Sequence, residues 1–431
     1  MNIFWFRRDL RVNDNAGLYH ALKEGQPVMP VFIFDTNILD DLEDNNDARV
    51  NFIHNSLVEL NEKLITMGSG LQVFHGTPEH VFDKIISEFN VEKVFTNTDY
   101  ELYATERDNN IKLLLRKRGI SFYSYKDQVI FEKNEIVKED GSPYVVFTPY
   151  SRKWKSVLND FYLREYPSEK YFRNFYQFFP AEIPSLESIG FKKSNLQIPT
   201  KDVPDSIIKN YKNERDFPGE DGTSRLGIHL RFGTISIREL VRYVKNISEV
   251  YLNELIWREF YQMVLFHFPH VSRGEAFKKE YDRIEWRNDE REFLLWCQGK
   301  TGYPMVDAGM RQLNETGFMH NRVRMVTASF LTKHLLIDWR WGEAYFARLL
   351  LDYDFASNNG GWQWSAGSGC DASPYFRIFN PTAQAKKFDP ELKYIKKWVP
   401  ELNSFSYPAP IVEHDSARQR CLLVFGKALM K

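Results

Sequence analysis

Over roughly its first 130 residues the chain alternates short apolar runs with longer amphipathic ones, and this alternation constrains the fold more than any other feature. Segments 2–6, 28–34, 71–74, 93–96 and 121–125 are rich in β-branched and aromatic residues and read as strands. Between them, 16–23, 48–67, 78–89 and 104–118 carry helical periodicity. Strand and helix taking turns in this way predict an α/β fold, a doubly wound parallel sheet with helices on both faces. Such sheets take ligands beyond the carboxyl ends of their strands. The dinucleotide fingerprint Gly-x-Gly-x-x-Gly is missing after the first strand, which runs instead into Arg7, Arg8, Asp9 and Arg11. An ordinary dehydrogenase is therefore not the expectation.

The remainder follows a different plan. The first domain is expected over 1–130. Residues 131–205 are irregular, with several prolines and the aromatic clusters 171–176 and 178–179, and read as a long connector. Helical periodicity dominates the expected third region, 206–431. With 43% hydrophobic and 15% aromatic residues the chain has ample material for large cores. Its formal charge of −1 conceals an asymmetry: residues 1–200 hold 24 basic against 29 acidic side chains, and 201–431 hold 33 against 29. A local basic surface in the second half is compatible with that balance. Cys297, Cys370 and Cys421 are too few and too scattered for a disulfide framework or a cysteine metal site. His267 and His270 lack companions for a zinc set, so no metal is expected. The N-terminus lacks the order of a signal peptide, and no run approaches the ~18 apolar residues of a membrane span. A soluble, cytoplasmic protein is the expectation.

Eight of the ten tryptophans lie beyond residue 250. They either build a helical core or serve a protein that stacks planar rings and moves single electrons. Glu254, Trp257, Arg258 and Tyr261 fall at i, i+3, i+4 and i+7, so one helix face displays all four. That face is either partly solvated or the wall of a pocket for a planar ligand. Asn321 and Met325 share a second face, next to the phosphate-type donors Arg322 and Arg324. In 352–364, acids, amides and the pair Gly360-Gly361 suit either the grip on a polar heterocycle or a structural loop with capping asparagines. Segment 222–227 offers hydroxyls ahead of a helical run, as a phosphate site or as an ordinary N-cap. No Gly-x-x-x-x-Gly-Lys phosphate loop or Gly-x-Ser-x-Gly elbow occurs, which removes the common NTPase and hydrolase readings.

Taken in order, these segments resemble the photolyase/cryptochrome family, and within it the class I cyclobutane pyrimidine dimer photolyases. The likeness begins at Trp5-Phe-Arg-Arg-Asp-Leu-Arg11 with Asp14-Asn15. It runs through 222–226, 253–261, 301–308, 319–325 and 358–364, and closes at Tyr375-Phe-Arg-Ile-Phe-Asn-Pro381. The resemblance implies an α/β antenna domain joined by the connector to an all-helical FAD-binding domain. It also implies an enzyme, a carbon–carbon lyase that splits pyrimidine dimers in DNA by light-driven electron transfer from reduced FAD. By the same resemblance Tyr211, Thr223, Ser224, Arg225, Leu226 and Gly227 would border the FAD phosphates and ribityl chain, with Gly227 where some relatives have serine. Arg258 would lie close to FAD, Arg324 would pair with Asp352, Asp354 would bond the flavin edge, and Asn358 would face N5. Trp257 would stack on flipped bases, with Met325, Glu254 and Asn321 around them and Arg322, Arg377 and Gln384 toward the DNA backbone. Trp362, Trp339 and Trp286 would form an electron relay, leaving Trp364, Trp341, Trp296 and Trp398 as core.

The same likeness bounds the rivals. A (6-4) photolyase would carry a histidine pair where this chain has Asn321 and Met325. A cryptochrome photoreceptor often has a long C-terminal extension, and this chain runs only about fifty residues past Pro381. The second chromophore of the family is methenyltetrahydrofolate, a deazaflavin or another flavin. The Asn-Glu pair of folate binders is not reproduced in 100–107, which weakens folate without favouring another pigment. Dimer-containing DNA is the expected partner of a monomer that needs neither a membrane nor an obligate protein partner.

Overall fold

A computed structural model describes residues 1–178 and 182–430; Phe179 of the second aromatic cluster lies outside the described residues. The chain divides into two compact units. One comprises residues 1–135, 157–201 and 226–245, the other 136–156, 202–225 and 246–431. The expected sequence of domain, connector and domain is thus replaced by a chain that passes between units several times.

The first unit is built on five parallel strands: β1 (Asn2–Phe6), β2 (Val28–Asp35), β3 (Gln72–Gly76), β4 (Lys93–Asn97) and β5 (Ser121–Tyr125). Their order is β3-β2-β1-β4-β5, with Phe4 opposite Pro30 on one side and Phe95 on the other. Side chains alternate across the sheet. Phe4, Phe6, Phe32 and Phe34 enter one core, and Ile3, Trp5, Val31 and Ile33 the other. Both faces are therefore buried, which is why the central strands read as continuous apolar runs. Helices Ala16–Lys23, Ala48–Thr66, Pro78–Glu88 and Leu102–Lys117 follow the strands as expected. Phe175, Leu186, Ile189 and Phe191 from the expected connector join the first of the two cores.

The order of strands changes direction between β1 and β4, where a ligand crevice is expected. Here that crevice is filled. The Asn97 amide donates to Asp9 Oδ2 (2.6 Å) and Asn15 Oδ1 (2.8 Å), and its oxygen accepts from the Gly17 N–H (2.8 Å). About 10 Å³ remains beside them, room for roughly one water and for no chromophore ring. Behind this plug, Asp127 accepts from Arg11 (2.7 Å) and Arg238 (2.8 Å). Burial pushes its carboxyl up, but the two guanidiniums outweigh that and hold the pKa at about 2. A depressed folded-state pKa stabilises the fold above the unfolded value near 4 and loses that stabilisation as pH falls through 2. The contribution is roughly 2 kcal/mol. The urea midpoint of this unit is expected to fall on acidification from pH 4 toward 2; a midpoint flat across that range would contradict the assignment.

In the described residues the second unit is helical. Its core gathers Trp296, Met310, Phe330, Phe346 and Trp362 among others. Residues 136–156 belong to it because their aromatic side chains pack there: Tyr150 meets Phe260 at 5.1 Å, and the Trp154 indole donates to buried Glu259. No described helix is long and apolar enough to cross a membrane.

Candidate functional site

Four helices of the second unit, Glu249–His267, Asn321–Ser329, Trp339–Leu349 and Phe355–Ala366, line a cavity of about 390 Å³. Each starts on a side-chain cap: Ser248, His320, Asp338 and Asp354 accept from the first turn's N–H groups. His320 caps through Nδ1, which accepts from the Arg322 N–H at 3.2 Å. Burial, with Arg324 and Arg322 nearby, pulls its pKa down to about 4, so at neutral pH the ring is uncharged and able to accept.

The i, i+3, i+4, i+7 stripe Glu254, Trp257, Arg258, Tyr261 all faces this cavity, and so do Asn321 and Met325. Burial pushes the Glu254 carboxyl up, and an ion pair with Arg215 works against it. Across the cavity stand Arg324, Asp352, Asp354, Asn358 and Trp362. Arg324 Nη2 donates to both Asp352 oxygens, at 2.9 and 3.1 Å. The Asn358 amide nitrogen donates to Glu343, to its backbone oxygen (3.1 Å) and its carboxylate (2.9 Å). That fixes which way the amide points and leaves Oδ1 for an occupant.

The Gly360-Gly361 pair does not form a loop; it lies inside helix 355–366, which Asp354 caps at 3.1 Å. Space requires glycine at 360 alone. A Cβ on residue 360 would sit 2.2 Å from the Tyr261 ring, whereas a Cβ on 361 would meet nothing within 4 Å and enter the cavity. Trp364 also differs from expectation: it is half-buried against the cavity instead of serving as core. The 222–227 hydroxyls cap no helix. Helix Gly227–Phe232 starts at Leu226 without a side-chain cap, and Ser224 Oγ instead bonds the Tyr251 hydroxyl at 2.8 Å.

Other expected residues lie off the cavity lining. Tyr211 packs edge-on against Tyr251 at 4.9 Å, and burial raises its hydroxyl pKa. Thr223 is half-buried, and Arg225 pairs with Asp221 at 2.9 Å. Leu226 and Gly227 fall in the first unit. Arg322 pairs with Asp216 (2.7 Å) over the Phe388 ring, Arg377 is exposed, and Gln384 has a buried Oε1 without a hydrogen-bond partner. Trp339 is buried and Trp286 half-buried.

Sequence reasoning missed Arg215 and Phe346 in the lining, Glu343 behind Asn358, and Phe147 behind Trp257. Phe147 stacks on Trp257 with centroids 3.8 Å apart and planes 5° from parallel. One indole face is thus covered and the ring is held upright at the cavity wall. Phe147→Ala removes a pair worth roughly 0.5–1.5 kcal/mol beyond area burial. Weaker binding of a ring stacked on Trp257, by up to about 10-fold, is expected with cofactor content unchanged; unaltered affinity would show that Phe147 does not position the indole.

Do these residues suit a flavin? The buried Trp362 Nε1 has no hydrogen-bond partner, and Gly361 leaves open space beside it. A guanidinium–carboxylate pair, a capping carboxylate and an oriented amide supply donors and acceptors for a heterocycle edge. They fit. Fold and site together define a cofactor-dependent enzyme with an α/β unit and a helical unit that takes a planar redox ring.

The comparisons narrow the class. The DNA photolyase family model matches residues 2–169, and the FAD binding domain of DNA photolyase matches 251–406. A deoxyribodipyrimidine photo-lyase of Vibrio cholerae is 37% identical, with 99% of this chain and 100% of that one covered. A class III photolyase from Agrobacterium tumefaciens superposes with a TM-score of 0.88 at 35% identity, covering 100% and 98%. An archaeal photolyase from Sulfolobus tokodaii, solved with two FAD molecules, gives 0.83 at 35%, covering 99% and 100%. The chain belongs to the DNA photolyase family, FAD-binding enzymes of light-driven DNA repair. A second chromophore is compatible with the two-FAD neighbour. Because one neighbour is named class III, the likeness supports the family and not the class I subdivision.

Proposed function

We propose that this enzyme splits cyclobutane pyrimidine dimers in DNA. One observation carries the reading. A single cavity joins a wall of Glu254, Trp257, Asn321 and Met325 to a wall of Arg324, Asp352, Asp354, Asn358 and Trp362. A flipped lesion against the first wall and a flavin against the second would touch. FAD, when bound, supplies the light-driven one-electron chemistry.

The protein's part is positioning. A dimer stacks poorly in the duplex, so extruding it costs less than extruding intact bases, and photolyases are among the enzymes known to do this. Trp257 offers a ring face worth roughly 1–3 kcal/mol per stacked base. Met325 fills the space beside it, and Asn321 borders the pyrimidine edge. Glu254 hydrogen-bonds the pyrimidine edge and steadies negative charge arriving there, and burial raises its pKa. Arg215 limits that rise and keeps the side chain in place. Asn358, clamped by Glu343, turns its oxygen toward the position assigned to flavin N5. Tyr211, Thr223, Ser224, Arg225, Leu226, Gly227 and Arg258 are assigned to the remainder of FAD. Exposed Arg377 serves the DNA backbone, with Gln384 nearby; Arg322 reaches a phosphate once it leaves Asp216. Phosphate contacts position without specifying, so selectivity lies in the cavity.

The test is an oligonucleotide carrying one thymine dimer, incubated with reduced enzyme under blue light and in darkness. Light-dependent return of normal thymines is expected. Survival of that dimer alongside repair of a (6-4) lesion would overturn the substrate assignment. Glu254→Ala should lower the repair yield by about 10-fold, the loss of one hydrogen bond to a charged group, with FAD retained. Flavin loss on purification would place Glu254 at the cofactor instead.

A further inference from the structure

Among the described residues, the first unit has free space away from the plugged crevice. Two cavities, of about 510 and 580 Å³, meet at Phe161, Arg164 and Glu165. The first is walled by Tyr19, Tyr162 and Tyr166, with Val129, Ile130 and Pro167 beside them and charged side chains, Lys126 and Lys170 among them, at its edge. Tyr19 and Tyr166 lie 5.5 Å apart, tilted by 57°, and Phe161 sits edge-on to Tyr162 at 5.3 Å. The second is lined by Arg164, Arg242 and Lys245 together with Asp160 and Glu165.

Two details separate this arrangement from ordinary surface. Phe161 is 76% exposed although it stands between the chambers, so its ring is turned out toward whatever occupies them. Among the described residues, neither the Arg164 guanidinium nor the Lys170 ammonium has a carboxylate partner. The other cations are partly engaged: Lys126 with Glu135, Arg238 with Asp14 and Asp127, Arg242 with Glu165 at 3.8 Å and Asp14 at 3.9 Å, Lys245 with exposed Asp160 at 3.5 Å. An aromatic chamber beside one that carries three cations, with unpaired Arg164 at the junction, is complementary to a planar ring that carries an anionic tail.

The geometry points to a nucleoside phosphate site in the α/β unit, with the base among Tyr19, Tyr162 and Tyr166, the phosphate at Arg164, Arg242 and Lys245, and Phe161 against the sugar. The site is independent of the dimer-splitting reading, since every residue in it belongs to the first unit.

The experiment is calorimetric titration of adenosine 5′-monophosphate into FAD-loaded enzyme at low ionic strength, in the dark. Because FAD fills its own site, an unchanged flavin spectrum separates the new site from the cofactor's. Saturable binding of one nucleotide per chain is expected. It should weaken at least ~10-fold for Arg164→Glu and for adenosine without its phosphate, and also for Phe161→Ala. Both positions are at the surface and their variants should keep the wild-type melting temperature. Absence of saturable binding, or equal affinity in wild type and both variants, would overturn the proposal.

Discussion

Gly361→Leu is expected to give a folded, colourless protein. Residue 361 sits inside helix 355–366 and lines the cavity, and a Cβ built there has no neighbour within 4 Å. A leucine side chain therefore occupies the space assigned to the flavin without displacing protein atoms near its Cβ. Replacing an interior helical glycine by leucine also favours the helix, by roughly 0.5–1 kcal/mol. Thermal stability of the apoprotein should hold or rise while FAD affinity falls at least ~100-fold, an effect of about 2.7 kcal/mol. The two readouts move in opposite directions, which a merely disruptive substitution does not do. Absorbance of the purified protein in the flavin bands, set beside its melting curve, is the measurement. A yellow, normally loaded variant would mean that the ring lies elsewhere.

That prediction rests on a glycine whose role composition concealed. Paired glycines between amides suggested a loop equally well, because local propensity weighs glycine against helix. Asp354 at the N-cap and Tyr261 packed on Gly360 reverse the outcome, and both are tertiary facts. Where the signal is periodic, the sequence was more informative. The five strands and their helices follow directly from short β-branched and aromatic runs alternating with segments of period 3.6, because a sheet covered on both faces makes its strands apolar throughout. The stripe from Glu254 to Tyr261 and the pair Asn321 and Met325 were legible for the same reason. Arg215, Phe147 and Glu343 were not. Each acts on its partner from another segment, Arg215 across 39 positions, and no short-range pattern encodes such a pairing. The boundaries of the units were hidden likewise. Phe147, Tyr150 and Trp154 lie in an irregular stretch, and only their packing assigns 136–156 to the helical unit.

Trp362→Phe should slow light-driven reduction of oxidised FAD by ~100-fold or more, equivalent to roughly 2.7 kcal/mol on the rate. Trp362 lines the cavity, is 2% exposed, and has an Nε1 with no partner. Two directions lead away from it. A Cβ on Gly342 would fall 2.1 Å from its ring, so helix 339–349 rests on Trp362, and Trp339 lies three residues back on the same helix face. From that cluster the half-buried Trp286 packs outward, edge-on to Phe425 at 5.9 Å. In the other direction Trp296 is 6.1 Å from Trp362, a closer ring contact, but it is fully buried and its indole N–H meets only the Thr327 carbonyl at 3.2 Å. A positive charge passed along rings is stabilised where water reaches it and penalised where it does not. That difference favours the route through buried Trp339 because it ends at half-buried Trp286, and leaves Trp296 as packing. Trp286→Phe should therefore cut the yield of photoreduction substantially, while Trp296→Phe should leave it near wild type. On the proposed reading, in which the relay only prepares the cofactor, all three variants, reduced chemically beforehand, should repair dimers normally. The measurement is bleaching of the oxidised flavin band under steady blue light with an external thiol as terminal donor. If Trp296→Phe slows bleaching as much as Trp286→Phe, the charge leaves through the buried side and solvent access is not what directs it.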